Sequence, residues 1–570
     1  MKKSPTKKPS RKNTFKSWLK ANRTPLIVFL VYLVITFIAI QFHESWEDEA
    51  QAWLTVRDCS LLELFDRMKY EGHFLPWYLL IMPFAKLGLP FATINYVSWL
   101  ITAASVWLML KHLPLRFYQR VIFVFTLPVL YFFPVVARCY CLLPLAIILL
   151  IMFHKDRYEK PFRYCLAIAL AALVHTHCLM FAFIVGVDFV WGWFKQHKSF
   201  SQVKNRRLLL ATLIPVFLVG ASCLLLVGSF NKSSGFSVAA SDLNVAHALM
   251  NSISENLTLY ASFLPATVGF FAFALVFSLL ALFRWQVFAR VSVAVFWQYL
   301  VQSLVFSIPL PQRMFLPFFF LLFFLCTLPA QNQTALTLRE RAFMSVLLIA
   351  IVAFSGSLIF YIITTVFLAL AFTSPLVRLL KLPVDSTKYR RLVTPIFALL
   401  ALVSVVDCAI TLYNEIRYTY TDSKATAEFI KTELLSNDSS ALFLTDIQTE
   451  NVYTAIIAYL ETPAPSFYDL YLNNYYTYGK LTYLIEDNEA YEADFDFCRR
   501  EGYEHCYYIY PFNPSEEKDA EILFSSAESE RKIDRLITDG KLKVIYDSVD
   551  FDDSWDLAAY EHFRIYEVMI

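Results

Sequence analysis

Residues 25–42 contain no charged side chain, and the 24 residues before them hold nine Lys or Arg and no acid. An uncharged helical run of that length crosses ~30 Å of hydrocarbon, and a cationic flank stays on the cytoplasmic side. The pattern recurs along the chain, where apolar runs of span length alternate with loops rich in Lys and Arg. Composition agrees, with 57% hydrophobic and only 17% charged residues among 570. Such a chain satisfies its backbone inside lipid by folding into helices. Cytosolic enzymes, nucleic-acid-binding proteins and disordered scaffolds are excluded.

The net charge of +2 conceals a division. Residues 414–570 carry 32 acids against 13 bases, leaving 16 acids against 37 bases in residues 1–413. A basic membrane part is therefore followed by an acidic part of ordinary domain size. The expected organisation is a basic cytoplasmic tail at 1–24, a membrane part at 25–413 and an extracytoplasmic soluble α/β domain at 414–570. Residue 42 is followed by no small-residue cleavage site, so the first run is expected to persist as a helix.

Residues 43–90 then form the first outer loop. Its apolar segment 74–89 resembles a span, but crossing would place Lys111, His112, Arg116 and Arg120 outside, against the positive-inside rule. Pro76, Pro83, Gly88 and Pro90 also disfavour a straight helix, so this segment is expected to be re-entrant or interfacial. The remaining basic loops then fall inside. Hairpins at 121–153 and 162–194 are followed by spans at 208–227, 260–283, 291–310 and 314–330, a tight hairpin at 343–372, and a last span at 392–413. The expected fold class is thus a polytopic α-helical membrane protein with about 13 spans and a C-terminal extracytoplasmic α/β domain. In that domain 423–435 reads as helix, and 441–445, 506–510 and 541–546 read as strands. Cys498 and Cys506 both lie there, either paired or free.

Each early hairpin has 33 residues for two crossings, so an arm rises only about 24 Å. The tips should stop below the outer surface and leave a recess. Arg138 marks one tip, and His175 and His177 mark the other. Ionisable groups at such depth need water, a partner or a ligand.

Asp48 and Glu49 stand together in Trp46-Glu47-Asp48-Glu49-Ala50. One carboxylate can serve as general base while its neighbour orients it or binds a divalent metal ion; alternatively the segment is a solvated acidic loop. His73 lies where the outer loop meets the apolar segment, as a catalyst or an interfacial anchor. Two residues separate His175 from His177, unlike the four-residue spacing of helical metal pairs. Arg138 and Arg313 sit at outer ends of spans, where a guanidinium can grip a phosphate with two bonds or snorkel to headgroups.

In combination these features resemble the glycosyltransferase C superfamily, closest to the bacterial branch related to protein O-mannosyltransferases and lipid A aminoarabinose transferases. The resemblance covers most of the chain. Its Asp-Glu pair in the first outer loop corresponds to Asp48 and Glu49, its Arg-x-Tyr to Arg138 and Tyr140, and its His-rich tip to His175-Thr176-His177. Its Arg-(x)3-Pro corresponds to Arg313 and Pro317. The His-Pro-Pro element is matched loosely, since Phe74 and Leu75 separate His73 from Pro76.

The resemblance implies an inverting, hexosyl-type transferase that uses a polyprenyl-phosphate sugar donor and an acceptor hydroxyl on a glycan, lipid or protein at the outer membrane face. Asp48 would be the base and Glu49 its support or a ligand for a divalent metal ion. Arg138 and Arg313 would bind the donor phosphate, with His73, Tyr140, His175 and His177 supporting or touching substrate. The competing expectation is a transporter or lipid flippase for glycan precursors, in which the same charges line a pathway; inverted repeats typical of carriers are not evident.

Overall fold

The computed structural model describes residues 11–68, 73–197, 203–231, 284–305, 315–328, 386–435, 441–445, 454–461, 466–469, 474–475, 503, 505–512, 527–548 and 562–569. Helices dominate it. Helix α1 (Arg11–Phe42) joins the basic segment and the first apolar run without a break at residue 25, although Pro25 lies inside it. The preceding Lys, Arg and Ala are good helix formers, so the charge boundary is not a structural one.

Beyond α1 the loop expected to lie outside folds into three short helices, α2 (Glu47–Asp58), α3 (Leu61–Arg67) and α4 (Pro76–Lys86). The 11 residues of α4 rise about 16 Å, far short of a bilayer. Helix α5 (Thr93–His112) follows, and its last carbonyls are capped from outside. Arg120 Nη1 donates to Leu110 O at 2.8 Å and Lys111 O at 3.1 Å, satisfying groups a helix end leaves orphaned.

The first hairpin departs from a straight pair of arms. Helix α6 (Phe117–Val124) and the segment Pro128–Val135 meet at 61°. Pro128 has no N–H to continue the ladder, and a π-type turn at Pro128–Phe132 follows the bend. The loosened backbone finds other partners: Leu127 N–H donates to Ser404 Oγ at 3.2 Å, and Tyr32 Oη–H from α1 donates to Val129 O at 2.8 Å. The returning arm is α7 (Leu142–His154).

The second hairpin is α8 (Pro161–Ala172) and α9 (Leu179–His197), joined through a 3-10 turn at Thr176–Cys178. Among the described residues, four further helices belong to the membrane part: α10 (Val203–Asn231), α11 (Trp285–Val305), α12 (Leu316–Thr327) and α13 (Ser386–Arg417). Among the described residues, four segments are long and apolar enough to cross a membrane by themselves, and the bent pair makes a fifth. The spans expected at 260–283 and 343–372 lie outside the described residues, and with them the full count of 13.

After α13 the chain turns to mixed structure. Helices α14 (Ser423–Phe429), α15 (Thr454–Leu460) and α16 (Ala527–Thr538) accompany six strands. These are β1 (Leu442–Thr445), β2 (Ser466–Asp469), β3 (Asn474–Tyr475), β4 (Cys506–Phe512), β5 (Leu542–Asp547) and β6 (His562–Val568). They form one sheet in the order β3-β2-β1-β4-β6-β5. Strand β1 is parallel to β2 and β4, while β6 runs antiparallel to β4 and β5.

Alternate strand residues face opposite ways, and both faces are covered. Leu444, Tyr508, Leu542 and Tyr566 pack with Ile533 and Leu536 of α16. Phe443, Ile509, Phe563 and Ile565 belong instead to the core that continues through α14 and α15 into the helical part. Cys506 is disulfide-bonded, whereas Cys498 lies outside the described residues. The junction with the segment after α1 is direct: Ser45 N–H donates to Tyr459 Oη at 2.5 Å, and the Tyr459 and Phe91 rings stand 5.1 Å apart.

Candidate functional site

Helix α2 begins Glu47-Asp48-Glu49, three acids in its first turn, where the positive end of the helix dipole favours them. The consecutive carboxylates diverge by about 100° around the helix and meet different surroundings. Glu49 turns inward and is fully buried. Its Oε1 accepts the N–H of Ala137 at 2.6 Å, and its Oε2 accepts the N–H of Trp46 at 3.2 Å. The second of these is the N3-to-N-cap arm of a capping box. His43 Nε2 also reaches Glu49 Oε2, at 3.0 Å.

Asp48 faces the tip of the first hairpin. Its Oδ1 lies 2.9 Å from Arg138 Nη1, with side-chain exposures of 21% for Asp48 and 5% for Arg138. The same guanidinium donates to the Asp48 carbonyl. Two successive residues of α2 therefore hold two successive residues of the tip, Ala137 by its backbone and Arg138 by its side chain. Arg138 itself is extended (φ −122°, ψ 165°) and precedes the 3-10 turn Cys139–Cys141, which projects its side chain off the helical path.

A line of rings continues from Arg138. Its Nη2 donates to His73 Nε2 at 3.2 Å. Guanidinium nitrogens cannot accept, so this nitrogen of His73 is unprotonated. The His73 and His175 rings are 5.2 Å apart, as are those of Tyr140 and His175. His175 and His177 stack at 4.5 Å, and His175 Nδ1 accepts the His177 N–H at 3.2 Å. The 3-10 turn makes this stacking feasible, since two residues on a regular helix would point apart. Helix α11 supports the turn, with Trp297 Nε1 donating to Thr176 O at 3.4 Å.

Asp48, Glu49, His73, Arg138, Tyr140, His175 and His177 thus form one chain of contacts from four separated stretches of sequence. Arg313 lies outside the described residues. Among the described residues, no group of three or more His, Cys, Asp or Glu could hold a metal ion. Glu49, the expected metal ligand, has its oxygens turned toward N–H donors, and a cation there would have to displace them. Its surroundings do not suit a resident metal.

Three further residues escape sequence reading. His43 Nδ1 lies 2.9 Å from Glu415 Oε1 near the end of α13, and Tyr131 Oη–H donates to the other oxygen of Glu415. Burial works against a charge on His43, but Glu49 and Glu415 outweigh it and hold the ring up to about 10. Beside it, burial pushes the Glu44 carboxyl up to about 7 against the opposing pull of Lys424. The available signal for Glu415 is an acid two residues beyond the last apolar run, but nothing local points to its partner.

This arrangement offers a partly exposed carboxylate beside an enclosed, permanently charged guanidinium. Such a pair can accept a proton and receive an anion.

No protein-family model and no curated protein matches the chain. Among solved structures, it is similar to ArnT from Cupriavidus metallidurans bound to undecaprenyl phosphate, at 14% identity and a TM-score of 0.45. That alignment covers 96% of this chain and 98% of the other. For the apo state of the same protein the identity is 12% and the TM-score 0.44, with the same coverage.

Proposed function

We propose that this multi-pass membrane protein transfers a sugar from a polyprenyl-phosphate donor to an acceptor hydroxyl at the outer membrane face. The observation that carries this reading is the Asp48–Arg138 pair, an accessible carboxylate 2.9 Å from a guanidinium enclosed at a hairpin tip. Asp48 takes the acceptor proton as the acceptor oxygen bonds to the anomeric carbon. The bond from that carbon to the phosphate oxygen breaks, and its electron pair leaves with the lipid phosphate. A single displacement of this kind inverts the anomeric centre.

Arg138 has five N–H donors. Those not used by Asp48 and His73 remain for the donor phosphate, whose growing charge the guanidinium offsets. Glu49 holds the first turn of α2 and the hairpin tip in place and does not itself take a proton. Tyr140, His175 and His177 provide an aromatic and hydrogen-bonding wall for the sugar or phosphate, with Arg313 as a second phosphate contact. The acidic sheet region lies outside the membrane in this reading, which a disulfide at Cys506 supports because oxidising compartments sustain such bonds.

Asp48→Asn keeps the shape and removes the base. In detergent with a labelled polyprenyl-phosphate sugar, transfer should fall at least about 100-fold. Wild-type turnover by this variant would sink the assignment. Movement of the labelled lipid across a bilayer without covalent transfer would establish a carrier instead.

A further inference from the structure

A buried polar bridge links the candidate site to the last helix of the membrane part. His43, Glu49 and Glu415 have almost no exposed side-chain surface. The two ring nitrogens of His43 face two carboxylates, with Nε2 3.0 Å from Glu49 and Nδ1 2.9 Å from Glu415. An ionised carboxylate only accepts hydrogen bonds. Both ring nitrogens must therefore donate, and the ring is an imidazolium. Tyr131 donates to the free oxygen of Glu415, and the Tyr420 ring lies 5.0 Å from the imidazole.

Two carboxylates around one cation leave a net negative charge inside the protein. Breaking such a buried bridge is costly, yet replacing it with apolar side chains is often neutral or stabilising. Packing alone does not account for it. Its geometry does more. Glu49 is simultaneously bonded to Ala137, next to Arg138, and stands next to Asp48 on α2. Glu415 lies in the final turn of α13, seven residues before Asp422 begins the passage into α14 and the sheet region.

We propose that His43 is a positioning residue: an imidazolium that ties Glu49 to Glu415 and so fixes Asp48 opposite Arg138. The inference rests on the reading of Asp48 and Arg138 as the working pair. His43 touches no substrate. It acts by joining α1, α2 and α13 at one point, which makes the register of α2 against the hairpin tip depend on the end of α13.

The test uses the full chain in lipid nanodiscs with His43→Gln, which keeps one donor and loses the charge. Misplacement of reacting groups by about 1 Å costs about 100-fold, so kcat should fall by about 10- to 100-fold while donor KM changes less than about 3-fold. An unchanged kcat, or a KM effect as large as the kcat effect, overturns the proposal. Should that variant fail to fold, Glu415→Gln, which retains the His43–Glu49 contact, should lower kcat by about 3- to 10-fold at constant KM; no change would overturn it. Nitrogen-15 spectra of labelled histidine report the ring directly. Wild-type His43 should carry protons on both nitrogens at pH 7, and a singly protonated ring overturns the proposal. If wild-type protein transfers no sugar from any donor tried, the functional reading fails, while the spectrum still judges the bridge.

Discussion

The two early hairpins differ sharply between their tips and their bases. At the bases, cations cap helix ends or sit in solvent: Arg120 donates to the last carbonyls of α5, and Arg157 donates to His154 O at 2.6 Å. The Arg163–Asp156 pair is more than one-third exposed on both sides. Helix-end capping and solvation account for such charges. At the tips, Arg138, His175 and His177 are buried and touch acids or other rings. Neither explanation extends to them. Charge at a base is solvated or caps a helix end, while charge at a tip is enclosed among acids and rings.

Mutations should separate the two ends. The largest stability effect is expected from Arg138→Ala, which strands Asp48 and should cost about 3–5 kcal/mol in thermal denaturation of the solubilised protein. A neutral result would reduce the tip to the status of the base. Next comes pH. His43 is held up to about 10 from an ordinary 6.5, so its contribution is complete below pH 6.5 and lost as pH rises through about 10. Glu49, Glu415, Glu44 and Tyr420 are the groups that face it. Stability of the wild-type protein should decline across that window, and His43→Gln should flatten the decline.

Glu44 works in the opposite direction to an ordinary paired acid. Its folded value of about 7 lies above the usual 4.5, so its ionisation destabilises the fold as pH rises from 4.5 through 7. Glu44→Gln should therefore add about 2 kcal/mol at pH 8 and almost nothing at pH 4.5, read as the difference in melting temperature between the two buffers. The smallest effect belongs to a base: Arg163→Ala should cost less than about 1 kcal/mol. A larger loss there would blur the distinction.

Local patterns carried much of this architecture. Residues 25–42, the two hairpin turns and the acidic couplet could be read because span length, loop charge and adjacency are properties of short stretches. Strands β1, β4 and β5 overlap the segments expected at 441–445, 506–510 and 541–546. Strand β6 escaped because Arg564 and Glu567 interrupt its apolar pattern, although its burial comes from both faces. Strands β2 and β3 are only 4 and 2 residues long, too short for periodicity to speak. The bend before Pro128 was legible in principle, since proline ends a hydrogen-bond ladder.

The site divides in the same way. Asp48 and Arg138 stood out by type and place, but their pairing spans 90 residues. His43 and Glu415 are 372 residues apart, and neither has a neighbour that announces the other. Only folding makes them partners. Glu49 and Asp48 are adjacent in the sequence, yet one helical step sends one carboxylate into the core and leaves the other partly exposed beside Arg138.

Neighbouring carboxylates on α2 seize neighbouring residues of the hairpin, a two-point latch whose contacts can open separately. An incoming anion that drew Arg138 from Asp48 would leave the Glu49–Ala137 bond as an axle. The released carboxylate could then swivel toward its reactant without the loop losing its seat.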